Sequence, residues 1–113
     1  MAMETGTKVV YSRNCKSYLT NLGYKLFEKD YFGFLINAKD YVNRIVAEIE
    51  SSISTKQHKA APIRFKKYGN HYITIKTTKR TTWYVFFFRE KDTYFVNFIT
   101  NNHVSAHYIR GLR

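Results

Sequence analysis

The chain has 113 residues, of which 44% are hydrophobic, and this predicts one folded domain over residues 1–113 and excludes a disordered chain. A single cysteine, Cys15, excludes an internal disulfide, and because no Cys/His spacing typical of a zinc site occurs, we expect no metal and no other cofactor. No apolar run suits a signal peptide or a membrane span, so we expect a cytoplasmic protein with no membrane partner. The formal net charge of +11 is uneven, since residues 1–50 carry +1 and residues 51–113 carry +10.

The first half of the chain predicts one strand followed by two helices. Residues 8–12 are β-branched and aromatic, which indicates a short strand, and leucines then recur at helical spacing over residues 15–27, behind Asn14 as a suitable N-cap. A second helix should begin at Asn37 as N-cap, with Asp40 favourably placed near the positive end of the helix dipole. Its apolar face, which we expect to pack on a sheet, consists of Ala38, Tyr41, Val42, Ile45, Ile49 and Ile53.

The second half predicts an antiparallel meander. Residues 63–68 form a candidate edge strand, and residues 72–76, 83–88 and 94–100 are strand-forming runs separated by short polar breaks. The element order β-α-α-β-β-β, with a short C-terminal tail, predicts an α+β fold in which two N-terminal helices pack on one face of an antiparallel sheet.

Alternation along the last two strands gives the predicted sheet two apolar faces. The residues expected to face the helices are Trp83, Val85, Phe87, Tyr94, Val96 and Phe98. Those expected on the second face are Tyr84, Phe86, Phe88, Phe95, Asn97 and Ile99. Because two helices cover only one face, the second face requires another cover, which is the C-terminal tail, a partner protein or nucleic-acid bases that stack on it.

The positive charge lies on the sheet half, where no acidic residue occurs between Glu50 and Glu90. A one-sided excess of this kind attracts a polyanion, either a nucleic acid or a strongly acidic protein segment, and of the two it favours nucleic acid.

Several strings of the sequence resemble segments of the RelE/ParE superfamily of toxins from type II toxin–antitoxin systems. They are KVVYSRNCKSYL at the first strand and helix entry, APIRFKKYGNHYITIK leading into the central strands, KRTTWYVFF as an arginine-plus-aromatic strand, and TYFVNFITNNH as the last core strand. The resemblance covers about residues 8–108 and rests on the combination of strings.

The resemblance implies a small α+β domain with two helices against an antiparallel sheet. RelE-like and YoeB-like members cut messenger RNA on the ribosome without a metal, whereas ParE-like members inhibit DNA gyrase, and an antitoxin wrapped around the toxin neutralises each of them. It therefore implies a toxin whose partners are RNA, the ribosome and a cognate acidic antitoxin.

Metal-free RNA cleavage needs a base for the 2′-hydroxyl proton, cationic donors for the phosphate and an acid for the leaving oxygen. Arg80 matches the arginine that opens the family's middle strand, and its guanidinium suits phosphate oxygens. His103 follows the last strand, where RelE-like enzymes place a catalytic basic or histidine residue, and His107 with Tyr108 resembles the His-Tyr pair that ends YoeB-like members.

Other candidates for the same site would bind RNA without taking part in proton transfer. The candidate phosphate ligands are Lys66, Lys67, Lys76 and Lys79, and the candidate base-stacking residues are Tyr72 and Tyr84. Residues 60–63 read AAPI, so this chain lacks the carboxylate that YoeB-like members carry there. Two alternatives to a ribonuclease therefore stay open, which are a non-enzymatic ParE-like gyrase inhibitor and a basic nucleic-acid-binding module.

Overall fold

The structure, a computed structural model, describes residues 6–28 and 35–103, with the side chains of that part except those of residues 23–28 and 35–36. The elements are β1 (Lys8–Tyr11), α1 (Arg13–Glu28), α2 (Leu35–Ser52), β2 (Lys59–Ala60), β3 (His71–Thr78), β4 (Thr81–Glu90) and β5 (Thr93–Asn101). The predicted α+β class is confirmed. Neither described helix combines the length and the apolar character needed to cross a membrane.

The five strands form one sheet in the order β1-β5-β4-β3-β2. The sheet is mixed, because β1 runs parallel to β5 while the other neighbours are antiparallel, so the prediction of a purely antiparallel sheet was wrong. The two helices between β1 and the rest of the sheet provide the long connection that a parallel pairing requires. The order also contains one strand more than predicted, the two-residue β2.

The predicted edge strand over residues 63–68 is instead a turn that includes the 3-10 helix Ile63–Phe65. The carbonyl of Pro62 accepts a hydrogen bond from the Phe65 amide at 2.9 Å, and the Ile63 carbonyl accepts one from the Lys66 amide at 3.2 Å. These short-range bonds coil the chain and bury Phe65 on the second face of the sheet. We call residues 62–69 the basic turn.

Both predicted helix N-caps were wrong by about one turn or less. Ser12 caps α1, because its Oγ accepts a hydrogen bond from the Cys15 amide at 3.1 Å, and the helix therefore begins before Asn14. Asn37 lies inside α2, which begins at Leu35. Cys15 is buried against the sheet, and burial raises the pKa of its thiol to about 11, so it stays protonated at neutral pH.

The predicted apolar face of α2 packs on the sheet as expected. Val42, Ile45 and Ile49 join one core cluster with residues of the sheet. The sheet residues in this cluster are Ile73, Ile75, Trp83, Val85, Phe87, Tyr94, Val96 and Ile99. Alternation along β3 and β4 therefore places the aromatic and β-branched side chains as the sequence pattern predicts.

Tyr41 joins α2 to the sheet through two hydrogen bonds. Its hydroxyl accepts a bond from the indole Nε1 of the buried Trp83 at 3.0 Å and lies 2.8 Å from the hydroxyl of Thr77. Replacing Tyr41 by phenylalanine should lower the free energy of unfolding by about 1–3 kcal/mol, because the buried indole N–H loses its partner. Urea denaturation measures this loss, with Tyr18→Phe as the control that removes another tyrosine hydroxyl. Equal stability of Tyr41→Phe and the native chain would contradict the prediction.

A β-bulge in β5 reverses part of the predicted pattern. Phe86 pairs with Phe98 while the next residue, Phe87, pairs with Val96, so Asn97 is the extra residue on β5. Phe98 consequently lies on the second face beside Phe86, and Ile99 lies in the core under the helices. The predicted sides of Phe98 and Ile99 were therefore wrong, since one inserted residue exchanges the two faces of a strand beyond it.

The basic turn covers the centre of the second face. Phe65 stacks on Phe86 with ring centroids 4.8 Å apart, and Tyr68 stacks on Phe98 at 4.2 Å. The side-chain amide nitrogen of Asn97, the bulged residue, donates a hydrogen bond to the Tyr68 carbonyl at 2.8 Å, and this bond holds the turn against β5. This segment of the chain was not among the three covers that the sequence suggested.

Candidate functional site

The turn between β3 and β4 and the end of β5 meet at one end of the sheet. Trp83 pairs with Asn101, so β5 ends beside the start of β4, and Lys79 and Arg80 form the turn that precedes β4. We call this end of the sheet the rim; it comprises residues 76–82 and 101–103. In an antiparallel pair the end of one strand lies beside the start of its neighbour, so residues from distant parts of the chain share this edge.

Asn102 fastens the two segments of the rim to each other. Its side-chain oxygen accepts a hydrogen bond from the Thr82 amide at 2.9 Å, and its amide nitrogen donates to the Arg80 carbonyl at 2.9 Å. Its own backbone amide donates to the Thr82 carbonyl at 3.1 Å. These three bonds hold the arginine-bearing turn in a defined position relative to the residue that follows, His103.

His103 is exposed and is held at its backbone and at its ring. Its amide donates to the side-chain oxygen of Asn101 at 2.9 Å, and its ring Nε2 lies 2.9 Å from the hydroxyl of Thr81. Arg80 is exposed, and its amide donates to the Thr78 hydroxyl at 3.2 Å. Within the described residues, no carboxylate pairs with the Arg80 guanidinium or bonds to the His103 ring.

The four candidate phosphate-binding lysines divide into two groups. Lys76 and Lys79 are exposed at the rim. Lys76 lies on the second face of the sheet, because it follows Tyr72 of that face by four positions on β3 and alternate residues of a strand share a face. Lys66 and Lys67 are exposed on the basic turn.

The basic turn lies some distance from the rim along the second face. The Lys67 ammonium lies 5.2 Å from the centre of the Tyr68 ring, which stacks on Phe98. Phe98 precedes Asn101, the rim residue that ends β5, by three positions, which corresponds to roughly 10 Å at the usual rise of a strand. The structure thus places the four lysines in two separate groups, one on the basic turn and one at the rim.

The two candidate base-stacking tyrosines pack on other aromatic rings. Tyr72 is only 1% exposed and Tyr84 only 7%, and their ring centroids are 6.1 Å apart in an edge-on arrangement. Burial, with a smaller contribution from Tyr72, raises the pKa of the Tyr84 hydroxyl. In this arrangement the two rings stabilise the second face, and neither presents an open face to a base.

The remaining site candidates, His107 and Tyr108, lie outside the described residues. Among residues 6–28 and 35–103, no three His, Cys, Asp or Glu side chains come together in a way that could hold a metal ion. The described rim carries a guanidinium, two ammonium groups, an imidazole and several hydroxyl and amide groups, which are groups capable of binding anions and of proton transfer.

Thr81 and Asn102 were not predicted as site residues. The sequence contains a signal for them in retrospect, because the pairs Thr81-Thr82 and Asn101-Asn102 flank a strand start and a strand end, where short polar side chains bond to nearby backbone. Their contacts depend on the pairing of β4 with β5 and could not be assigned from local sequence.

No family model, curated protein or solved structure matches this chain. The RelE/ParE resemblance accordingly rests on the sequence strings alone.

Proposed function

We propose that this protein is the toxin component of a toxin–antitoxin module of the RelE/ParE type, and that it is a metal-independent, ribosome-dependent mRNA endoribonuclease. The observation that supports this best is the placement of Arg80 and His103 at one rim, fastened together through Asn102. A cation that binds phosphate and a side chain that can both accept and donate a proton are the two parts that this chemistry needs.

The proposed reaction uses the RNA's own 2′-hydroxyl as the nucleophile. The 2′-oxygen forms a bond to phosphorus, the bond from phosphorus to the 5′-oxygen breaks, and the products are a 2′,3′-cyclic phosphate and a 5′-hydroxyl. The proton that leaves the 2′-hydroxyl is balanced by the proton added to the 5′-oxygen. His103 serves these proton transfers, while Arg80 donates hydrogen bonds to the phosphate oxygens as negative charge develops on them.

The proposed protein partner is an acidic antitoxin, and two features support it. The sheet half of the chain carries +10 in residues 51–113, which attracts an acidic segment. On its outer side β3 pairs with β2 only at His71 and Tyr72, and in the described part of the chain no other strand lies beside residues 73–78. An open strand edge next to positive charge can receive an extended acidic segment through backbone hydrogen bonds.

Inducible expression of the native chain in bacteria, with primer extension on a translated reporter mRNA, tests the proposed function. We expect growth arrest with new mRNA ends inside the reading frame, and the same ends from purified protein with programmed ribosomes. Growth arrest with intact mRNA and inhibited DNA supercoiling would instead favour a gyrase inhibitor. Binding to RNA without arrest or cleavage would favour a basic nucleic-acid-binding module.

Lys66 and Lys67 should contribute to RNA affinity rather than to cleavage chemistry. For a single-stranded 2′-O-methyl RNA, which cannot be cut through its 2′-oxygen, replacing both by alanine should reduce the slope of log K against log salt by about 1.4, since each lost phosphate contact removes about 0.7. Fluorescence anisotropy over a salt series measures this slope. The matched control replaces Lys16 and Arg44, which are exposed on the two helices, and an equal loss of slope in the control would contradict a localised contact.

A further inference from the structure

The hydroxyl of Thr81 engages one particular nitrogen of the His103 ring. Thr81 Oγ1 and His103 Nε2 are 2.9 Å apart, and within the described residues the other ring nitrogen, Nδ1, has no hydrogen-bond partner. We propose that Thr81 is a positioning residue that holds Nε2, so that Nδ1 is the nitrogen that exchanges protons with RNA. The part of this proposal that concerns RNA rests on the proposed function, whereas the Thr81–His103 bond can be tested without it.

Thr81 suits this task because its own position is well determined. It is the first residue of β4 and pairs with Thr78 across the turn, and the next residue, Thr82, bonds to the Asn102 side chain through its amide. On the other side, the His103 backbone is bonded to Asn101. His103 is therefore held at its backbone by β5 and at its ring Nε2 by β4, and this pair of contacts favours one orientation of the ring.

A hydroxyl can hold the ring through a whole cycle of proton transfer. When Nδ1 carries the proton, the Thr81 hydroxyl donates to Nε2, and when Nε2 carries the proton, the hydroxyl accepts from it and Nδ1 is left as a base. In the imidazolium form Nε2–H still donates to Thr81 while Nδ1–H is available to the leaving oxygen. A carboxylate in place of Thr81 would favour the charged ring, whereas a hydroxyl bonds to every state.

The exposed setting of the rim limits the size of the expected effect. An exposed hydrogen bond between neutral groups stabilises weakly, so loss of the Thr81 hydroxyl should not unfold the protein. Its loss should allow the ring to rotate, which reduces the fraction of molecules with Nδ1 correctly placed. We therefore expect about a 5- to 10-fold lower kcat with little change in KM, the size expected from one lost hydrogen bond.

The experiment compares Thr81→Val, which has a similar shape and no hydroxyl, with Thr81→Ser, which keeps the hydroxyl. Nitrogen-15 NMR of the full chain reports the tautomer and the hydrogen bond of His103 directly, and the other three histidines are internal references. We expect the Nε2 signal of Thr81→Val to move to the value of a freely hydrated histidine, and Thr81→Ser to keep the native signal. Ribosome-dependent cleavage should fall in Thr81→Val and recover in Thr81→Ser.

Native ring signals and native kcat in Thr81→Val would overturn the proposal, as would equal losses in the valine and serine variants. If Thr81→Val fails to fold, Thr81→Ala supplies the same comparison with a smaller side chain. If the native chain cuts no RNA, the proposed function fails, but the ring signals still decide whether Thr81 holds Nε2. A change in the ring signals with unchanged cleavage would show the bond and overturn its role in positioning.

Discussion

Replacing His103 by alanine should reduce mRNA cleavage by about 10²- to 10⁴-fold, the usual contribution of a positioned general acid or base. The fold should not change, because His103 is exposed and makes its contacts at the edge of the sheet. Single-turnover cleavage on programmed ribosomes measures the effect, and thermal unfolding checks that the variant is folded. The matched control is His71→Ala, since His71 is an exposed histidine at the end of β3 that lies away from the rim.

Substitution of Arg80 should also lower the cleavage rate strongly, and the size of the loss should depend on which residue replaces it. Arg80→Ala removes the donors to the developing charge and should cost about 10²- to 10³-fold in cleavage rate. Arg80→Lys keeps the charge but loses the paired N–H groups, so it should recover only part of the rate. Arg44→Ala on α2 is the matched control, because Arg44 is also an exposed arginine. Cleavage at the native rate by both His103→Ala and Arg80→Ala would refute the proposed site.

Gly69→Ala should lower the free energy of unfolding by about 3 kcal/mol, because a side chain at this position meets backbone that cannot move aside. A Cβ at Gly69 would overlap the Phe87 carbonyl oxygen and would lie 2.5 Å from both the carbonyl carbon and the amide nitrogen of Phe87. The basic turn would have to lift from β4, which would separate Phe65 and Tyr68 from the aromatic rings beneath them. Urea denaturation followed by tryptophan fluorescence measures the change.

The neighbouring variant Asn70→Ala is the control for Gly69→Ala. Asn70 is exposed, and its contribution to the turn is a backbone carbonyl that accepts a bond from the Ala61 amide at 2.9 Å and survives the substitution. If Gly69→Ala were as stable as Asn70→Ala, the basic turn would not lie directly against β4. If Gly69→Ala were destabilised and also bound RNA less tightly, the packing of the basic turn on the second face and its proposed contact with RNA would be linked.

Parts of the fold and of the candidate site follow from local spacing. The 3.6-residue period of Val42, Ile45 and Ile49 predicts the buried face of α2, and the two-residue period of Trp83, Val85 and Phe87 predicts the helix side of β4. Arg80 and His103 are recognisable as residues beside strand ends, and an antiparallel arrangement of three strands is enough to bring those ends to one edge.

Other features depend on contacts between residues far apart in the chain. The bulge at Asn97 exchanges the faces of Phe98 and Ile99. Because both residues are large and apolar, the sequence of β5 does not indicate which of them faces the helices. The basic turn that covers the second face is also held by a distant part of the chain, since the Tyr68 carbonyl is hydrogen-bonded to the Asn97 side chain 29 positions away. A strand pattern contains no information about which distant segment will lie over it.

Residue order is enough to predict the class of the fold, the buried faces of α2 and β4 and the positive charge of the sheet half, because period, side-chain type and charge are local properties of the chain. Three other features became visible only in the folded chain, namely that β1 joins the sheet in parallel, that the basic turn covers the second face and that Thr81 and Asn102 hold His103 and Arg80. Each of these depends on strand register and on hydrogen bonds across about 20 or more positions, and register is set by the packing of the whole sheet.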